Sequence, residues 1–208
     1  MPDLFPIPSP GAPLSYGDAG TPLVILLHDW YGRLPWLEHY ATALARIGFR
    51  VSVPDLYKGW GTTSPAEAAS LSADRVDEES FAIIDAIIAA EQPDRVATVG
   101  WSMGGWVALA HAQSGAVDAA VTYYPSLRGE LTGIIPAPVQ LHFAETDALD
   151  PAPLVAMLTD NGTPVDERTY LGTEHGFANA SMPEQFVERE AALAFARTAS
   201  FLEKHLAV

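Results

Sequence analysis

Six apolar runs of strand length alternate with longer segments of helical pattern along this chain. The runs cover residues 23–28, 49–53, 95–100, 119–123, 139–143 and 165–170. Most of them are continuously apolar, which is typical of parallel strands that are buried on both faces. The alternation therefore predicts an α/β fold with a mostly parallel sheet flanked by helices.

Helix boundaries are marked by capping residues. Two segments match the capping-box pattern, residues 64–67 (SPAE) and residues 181–184 (SMPE), and the second precedes the predicted last helix. Residues 150–151 (DP) match an N-cap followed by a proline in the first turn. Glycines mark the expected helix ends, namely Gly48, Gly115 and Gly162.

The length of 208 residues suits one domain over residues 1–208, and no internal repeat or linker is visible. Residues 1–12 are proline-rich, which favours an extended N-terminal arm.

The charge balance narrows the possible partners. The net charge is −15, from 11 basic and 26 acidic residues, and such a surface repels nucleic acid and anionic membranes.

The chain has no cysteine, so disulfides and thiolate metal sites are excluded, and we expect no metal and no cofactor. Neither a signal peptide nor an apolar run of about 18 residues is visible, so we expect a soluble, cytoplasmic protein.

Residues 100–104 (GWSMG) follow an apolar strand and open an apolar helix. This is the context in which a G-x-S-x-G motif forms a sharp strand-to-helix turn with the serine at its tip. Side chains two residues before and after that serine would collide, and glycine at both places removes the collision. The motif predicts that Ser102 is a nucleophile.

A serine nucleophile needs a base, and in this kind of fold the chain order is serine, acid, histidine. His175 lies in a glycine-flanked loop after the last strand, at the carboxyl end of the sheet, and is the predicted base. His142 lies inside a strand, His205 is near the end of a helix, and His111 is on the same helix as Ser102 and points away.

The acid should follow the strand at 139–143, where three carboxylates occur. Asp147 is favoured over Glu145, which is nearest the strand, and over Asp150, which is better explained as a helix cap. Both alternatives stay open from the sequence.

These residues together resemble the dienelactone hydrolase family, from about Leu23 to the last helix. The matching segments are 27–32 (LHDWYG), 54–57 (PDLY), 100–105 (GWSMGG), 123–124 (YY), 145–147 (ETD) and 175–177 (HGF). The resemblance implies the α/β-hydrolase fold without a large cap domain. It also maps the family's nucleophile, acid and base onto Ser102, Asp147 and His175.

The chain departs from the family pattern at two places. The family's typical nucleophile is a cysteine, and an acidic residue, usually glutamate, contacts that cysteine in the resting enzyme. In this chain the nucleophile position holds Ser102 and the acidic position holds Asp29. Asn179 stands where the dienelactone enzymes carry an arginine that binds the substrate carboxylate. Arg33 offers another anion contact, although an exposed loop arginine is the simpler interpretation.

The resemblance implies an oxyanion hole formed by the backbone N–H groups of Trp30 and Met103. Several further residues fall in or beside loops at the expected active-site edge and are candidate pocket residues, each with the alternative of a structural or core role. They are Asp29, Tyr31, Trp36, Trp60, Tyr124 and Phe177.

The sequence thus predicts a serine hydrolase that cleaves small carboxylic esters through an acyl-enzyme. The alternatives are a dienelactone hydrolase and, in another class, a hydrolase-fold protein that binds ligands without catalysis. The intact order of Ser102, Asp147 and His175 argues against the last alternative.

Overall fold

The computed structural model describes residues 3–131 and 133–207, which form nine strands and six helices. The strands are β1 (Leu4–Pro6), β2 (Leu14–Tyr16), β3 (Leu23–Leu27), β4 (Arg50–Val53), β5 (Trp60–Thr62), β6 (Val96–Trp101), β7 (Ala119–Tyr123), β8 (Val139–Thr146) and β9 (Val165–Glu174). The helices are α1 (Trp36–Ile47), α2 (Pro65–Asp74), α3 (Asp77–Glu91), α4 (Met103–Ala112), α5 (Pro151–Asp160) and α6 (Glu188–Leu206).

Seven of the strands form one sheet in the order β2-β4-β3-β6-β7-β8-β9. Strand β2 runs antiparallel to β4, and every other neighbouring pair in this sheet is parallel. The predicted α/β class with a mostly parallel sheet is confirmed. The chain moves from β3 to β4 on one side and later returns to β6 on the other. The carboxyl ends of β3 and β6 therefore mark the switch point at which such sheets bind ligands.

Helices cover both faces of the sheet, which explains why its central strands are apolar at every position. On β3, Val24 and Leu26 belong to the apolar cluster that contains α1 and α6. Leu23, Ile25 and Leu27 belong to the cluster on the other face, with α3, α4 and α5. Each fully buried aliphatic side chain contributes about 1.5–3 kcal/mol to stability, so this layering holds the sheet rigidly.

Two of the three predicted helix N-termini are confirmed, at Ser64 and Asp150. Asp150 caps α5 by accepting a hydrogen bond from the Ala152 N–H at 3.1 Å. Ser64 occupies the N-cap position of α2, although its side chain makes no capping hydrogen bond. The box at 181–184 is wrong as a helix start, because α6 begins at Glu188. The segment turns instead, with the Ser181 N–H bonded to the side chain of Asn179.

Two segments near the N-terminus pair as strands that the sequence did not indicate, β1 within the predicted arm of residues 1–12 and β2 just after it. β1 forms a separate two-stranded antiparallel sheet with β5, and β2 pairs antiparallel with β4 at the edge of the main sheet. None of the helices within the described ranges has the length and apolar character needed to cross a membrane.

Arg33 fastens this arm to the sheet, so the interpretation of an exposed loop arginine is wrong, as is that of an anion contact. The side chain is buried, and its guanidinium donates hydrogen bonds to the carbonyl oxygens of Ala12 at 2.7 Å and Val53 at 3.0 Å. It also donates to the carbonyls of Pro8 and Ser9. Carbonyl groups in a loop have no neighbouring strand to donate hydrogen bonds to them, and the several N–H groups of a buried arginine can supply those hydrogen bonds together.

Replacing Arg33 by methionine should lower the free energy of unfolding by about 2–4 kcal/mol, because several carbonyl oxygens lose their donor while the apolar length of the side chain is kept. Urea unfolding measures the loss. The matched control is Arg46→Met, at an exposed position in the last turn of α1. Equal losses in the two variants would show that Arg33 does not hold the arm.

Candidate active site

Ser102 lies at a turn between β6 and α4 that only a particular sequence can form. Its backbone has φ 52° and ψ −112°, a strained conformation for a residue with a side chain. A Cβ atom on Gly100 would lie 2.1 Å from the carbonyl oxygen of Gly104, and one on Gly104 would lie 2.2 Å from that of Leu27. The two glycines are therefore required by the close approach of strand and helix, as the motif predicts.

The structure brings Ser102, His175 and Asp147 together at the carboxyl edge of the sheet. The Ser102 Oγ lies 2.8 Å from the His175 Nε2. The His175 Nδ1 lies 3.1 and 3.0 Å from the two carboxylate oxygens of Asp147. A carboxylate can only accept hydrogen bonds, so the His175 Nδ1 that faces Asp147 must carry the ring proton. The unprotonated Nε2 is therefore free to accept the hydroxyl proton of Ser102. Asp147 follows β8 and His175 follows β9 directly, because both strands extend past their predicted ends.

The two other candidate acids have structural contacts instead. The Glu145 carboxylate accepts a hydrogen bond of 2.7 Å from the Gly172 N–H, which ties the carboxyl-terminal ends of β8 and β9 together. Asp150 caps α5. Of the three carboxylates, Asp147 is the one that contacts His175.

The other candidate histidines lie away from Ser102, as the sequence predicts. His142 is buried in β8, with its Nδ1 2.7 Å from the hydroxyl oxygen of Tyr170. His111 on α4 contacts Asp85 of α3, and His205 lies in the last turn of α6.

Ser126 is a neighbour of the nucleophile that sequence reasoning missed. Its Oγ lies 3.0 Å from the Ser102 Oγ, and its backbone N–H donates to the Ser102 carbonyl at 3.0 Å. The sequence feature that could have identified Ser126 is its position just after β7, because residues that follow parallel strands meet at the same edge of the sheet as Ser102.

The loop after β3 is fixed from within by His28. Its buried ring accepts a hydrogen bond from the Leu56 N–H on Nε2 at 3.1 Å, so Nδ1 carries the proton and donates to the Asp29 carbonyl at 2.7 Å. Burial lowers the pKa of His28 to about 4, which keeps the ring neutral near pH 7. Trp30 follows in this loop, and it lines a cavity next to Ser102 together with Met103. Met103 is the first residue of α4, so its N–H has no acceptor within the helix.

Asp29 is buried beside the site and is held by two donors. The Tyr31 N–H donates to Oδ1 at 2.9 Å and the Asn179 amide donates to Oδ2 at 2.6 Å. Burial raises the pKa of Asp29 to about 6, against the opposing effect of these two hydrogen bonds and of His175. Asn179, which sequence resemblance matched to a substrate-binding arginine, thus contacts Asp29.

Two cavities of unequal size meet at Trp30, Ser102 and His175. The larger, of about 520 Å³, has mostly apolar walls, formed mainly by Met103, Pro125, Leu127, Ala148 and Leu149. The smaller, of about 180 Å³, has a larger share of polar side chains in its lining, formed mainly by Asp29, Tyr31, Tyr124, Asn179, Met182 and Gln185.

Three of the candidate pocket residues do not line either cavity. Trp36 is buried in the core, edge-on to Trp101 with 5.0 Å between ring centroids. Trp60 lies on β5 and is 45% exposed. Phe177 is fully buried and packs behind Tyr124 at 5.4 Å. The assignment of these three to the pocket is therefore wrong, because Trp36 and Phe177 pack into the core and Trp60 lies on a strand away from the site.

The cavities have an acidic character. Asp29 lines one and Asp147 the other, while no arginine or lysine of the described residues lines either. Within residues 3–131 and 133–207, no cluster of three or more histidine or acidic side chains is placed to hold a metal ion. An uncharged organic molecule suits this site better than an anion.

Replacing Asp29 by asparagine should change how stability depends on pH. The folded-state pKa of about 6 lies above the unfolded value, so the stability that the protonated carboxyl contributes is present below about pH 4 and is lost as the pH rises through 6. Relative to the wild type, Asp29→Asn should therefore gain up to about 3 kcal/mol between pH 4 and pH 7 in urea unfolding. Asp18→Asn, at an exposed loop position, is the control and should give a flat difference. A flat difference for Asp29→Asn as well would contradict the raised pKa.

Comparison with known proteins identifies the family and agrees with the fold. The chain matches the Dienelactone hydrolase family over residues 14–206. It is 28% identical to a carboxymethylenebutenolidase of Rhodococcus opacus, over 100% of this chain and 90% of the relative. Among solved structures, it is similar to a putative dienelactone hydrolase from Klebsiella pneumoniae (TM-score 0.76, 22% identity, 92% of this chain and 88% of the other). A dienelactone hydrolase-like promiscuous phosphotriesterase from metagenomic libraries is also similar (TM-score 0.79, 18% identity, 90% and 88%).

The family match spans nearly the whole chain and includes every residue of the site described above. The chain belongs to the dienelactone hydrolase family, and it is a carboxylic ester hydrolase with the α/β-hydrolase fold.

Proposed function

We propose that the protein is a serine hydrolase that cleaves small carboxylic esters through an acyl-enzyme intermediate. The observation that carries the proposal is the contact of 2.8 Å between the Ser102 Oγ and the His175 Nε2, with the opposite ring nitrogen on Asp147. This is the arrangement that activates a serine hydroxyl. Its position at the junction of two cavities gives an ester access to the hydroxyl.

In the first half of the reaction, the Ser102 Oγ attacks the ester carbonyl carbon while His175 Nε2 takes the hydroxyl proton. The Asp147 carboxylate keeps the Nδ1 proton in place and stabilises the positive ring that forms. His175 then gives its proton to the leaving oxygen, the bond from the carbonyl carbon to that oxygen breaks, and an alcohol departs. The acyl group is left as an ester of Ser102.

The second half repeats these steps with water as the nucleophile. His175 takes a proton from the water as its oxygen attacks the acyl carbon, and it then returns the proton to the Ser102 Oγ as that bond breaks. The products are a carboxylic acid and the regenerated hydroxyl. The proton count therefore balances without any further group.

The N–H groups of Trp30 and Met103 are the proposed donors to the negative oxygen of each tetrahedral intermediate. The hydrogen bonds of His28 support this role, because they hold the loop that carries Trp30 before any substrate arrives. Donors fixed in advance need no reorganisation when the charge develops, and one of them is worth about 3–4 kcal/mol in transition-state stabilisation.

Lactone hydrolysis is the second candidate. The Rhodococcus relative is named for action on a carboxymethylenebutenolide, and a lactone ring is opened by the same attack on a carbonyl carbon. The walls of the two cavities favour neutral esters over such a carboxylate-bearing lactone, because they contain acidic residues and, among the described residues, no arginine or lysine.

Replacing Ser102 by alanine should reduce ester hydrolysis by about 10³-fold or more and abolish labelling by a fluorophosphonate, since both need the activated hydroxyl. Assays with p-nitrophenyl acetate measure the rate, and circular dichroism checks the fold. Ser200→Ala, at an exposed position of α6, is the control. A Ser102→Ala variant that keeps a tenth of the wild-type kcat would exclude Ser102 as nucleophile. A wild-type protein that neither reacts with the probe nor hydrolyses any ester would favour ligand binding without catalysis.

Replacing Asp147 by asparagine should lower kcat by about 10³-fold or more, because an amide can face the His175 Nδ1 with its own donor and favour the wrong tautomer. Asp150→Asn is the matched control, since asparagine caps helices about as well as aspartate does. The comparison is of kcat/KM for one ester in both purified variants. The reverse ranking would assign the acid role to Asp150.

A further inference from the structure

Ser126 contacts the nucleophile through two of its groups. Its backbone N–H donates a hydrogen bond of 3.0 Å to the Ser102 carbonyl, and its side-chain Oγ lies 3.0 Å from the Ser102 Oγ. Ser126 also lines the larger cavity, as Ser102 does. Any residue with a backbone N–H could make the first contact, so the turn does not need the hydroxyl. The reaction proposed above leaves this hydroxyl without a role.

The hydroxyl of Ser126 is the donor in its contact with Ser102. The His175 Nε2 carries no proton, because the protonated Nδ1 faces the Asp147 carboxylate, so the contact of 2.8 Å between Nε2 and the Ser102 Oγ uses the Ser102 proton. The Ser102 Oγ then has only its lone pairs to offer Ser126. A hydroxyl oxygen has two lone pairs, so Oγ can accept from Ser126 and still attack a carbonyl carbon with the other.

The loop that carries Ser126 is held in place by its own backbone contacts. The Tyr124 N–H donates a hydrogen bond of 2.7 Å to the His142 carbonyl. Pro125 has a fixed φ and packs closely on α4, since a Cβ atom on Gly105 would lie 3.2 Å from the Pro125 Cα. The Ser126 backbone is therefore fixed beside the nucleophile, and its hydroxyl needs little reorganisation when charge develops on the Ser102 Oγ.

The strength of this hydrogen bond changes during the reaction, because the charge on the Ser102 Oγ changes. In the free enzyme Oγ is a neutral hydroxyl, which accepts hydrogen bonds well. In the acyl-enzyme it is the bridging oxygen of an ester and accepts weakly, because its lone pair is delocalised into the carbonyl group. When water attacks, that delocalisation is lost, and Oγ gains negative charge as its bond to the acyl carbon breaks. Hydrogen bonds to charged oxygens are about twice as strong as those to neutral ones.

The two half-reactions therefore gain unequally from the Ser126 donor. Only an interaction that strengthens between the starting state of a step and its transition state accelerates that step. Acylation starts with the hydrogen bond already formed to the neutral Ser102 hydroxyl, so only the further increase counts. Deacylation starts from the weakly accepting ester oxygen, so nearly the whole strength of the hydrogen bond to the charged Oγ counts.

We propose that Ser126 is a further catalytic residue, whose hydroxyl donates a hydrogen bond to the Ser102 Oγ and accelerates hydrolysis of the acyl-enzyme more than its formation. Ser126 keeps its own proton throughout. The proton that Oγ takes up as the acyl bond breaks comes from His175, which received it from the attacking water. The proposal rests on the proposed serine esterase function and adds a residue to its machinery.

The test uses Ser126→Ala, which removes the hydroxyl and keeps the backbone N–H on the Ser102 carbonyl. Each enzyme hydrolyses p-nitrophenyl acetate at a saturating concentration, and samples quenched with acid in the steady state give the acetylated fraction by intact-protein mass spectrometry. The measured kcat divided by the acetylated fraction is the deacylation rate constant, and kcat divided by the unacetylated fraction is the acylation rate constant. Both constants are obtained whichever half-reaction limits the rate.

Ser126→Ala should lower the deacylation rate constant by about tenfold or more, as expected for a lost hydrogen bond to a charged atom, and the acylation rate constant by at most about threefold. The acetylated fraction should rise as a result. Ser126→Thr restores a hydroxyl at an exposed position and should keep deacylation within about threefold of the wild type. Ser200→Ala, at an exposed position of α6, is the control and should leave both constants unchanged.

An unchanged deacylation rate constant in Ser126→Ala would overturn the proposal, as would a fall in acylation as large as the fall in deacylation, which indicates a structural disturbance. Faster acylation would mean that Ser126 accepts the Ser102 proton and restrains the nucleophile, which is the opposite role. A threonine variant that deacylates as slowly as the alanine variant would also overturn the proposal, because the hydroxyl would then not be the active group.

Fluorophosphonate labelling of the wild type separates the two levels of failure. A labelled enzyme that hydrolyses the ester but gives one of these contrary results refutes only the role of Ser126. An unlabelled and inactive protein refutes the proposed function, and the role of Ser126 with it.

Discussion

The close contact between the first turn of α4 and the end of β3 determines the geometry around Ser102. The backbone of Gly104 approaches the carbonyl oxygens of Leu27 and His28 so closely that a single added carbon would lie within 2.5 Å of both. This contact places the start of α4 beside the loop that carries Trp30. The strained backbone of Ser102 is a consequence of the same approach, and the apolar packing on both faces of the sheet is what opposes the strain.

Much of this arrangement could be predicted because its signals are local in the sequence. The apolar runs identify the parallel strands, and the glycines around Ser102 identify the turn. Parallel strands end at one edge of the sheet, so residues that follow different strands, such as Asp147 and His175, are brought together by the topology. The order of the motifs along the chain therefore nominated His175 and favoured Asp147, while Glu145 and Asp150 stayed open as the acid.

The parts that could not be predicted depend on contacts between distant segments. Asp29 and Asn179 are 150 positions apart, and their hydrogen bond cannot be read from either local sequence. Nothing in the local sequence distinguishes Arg33 from an ordinary loop arginine; its role depends on the carbonyls that residues 8–12 of the arm present to it. Residues 181–184 have the capping pattern but do not start a helix, because the Ser181 and Met182 N–H groups donate hydrogen bonds to Asn179 in a turn. In each case a buried polar group selects its partner only once the tertiary structure has formed.

The turns between His175 and α6 separate two tasks of the protein physically. This stretch supplies Asn179, Met182 and Gln185 to the wall of the small cavity, while Ser102, His175 and Asp147 lie on the ends of the rigid sheet. It contains neither a strand nor a helix of its own, and beside its buried anchors Phe177 and Asn179 it has positions, such as Gln185, that can vary without moving the sheet. Evolution, or protein engineering, can therefore exchange those positions to change which molecules the protein accepts while the bond-breaking apparatus is inherited intact.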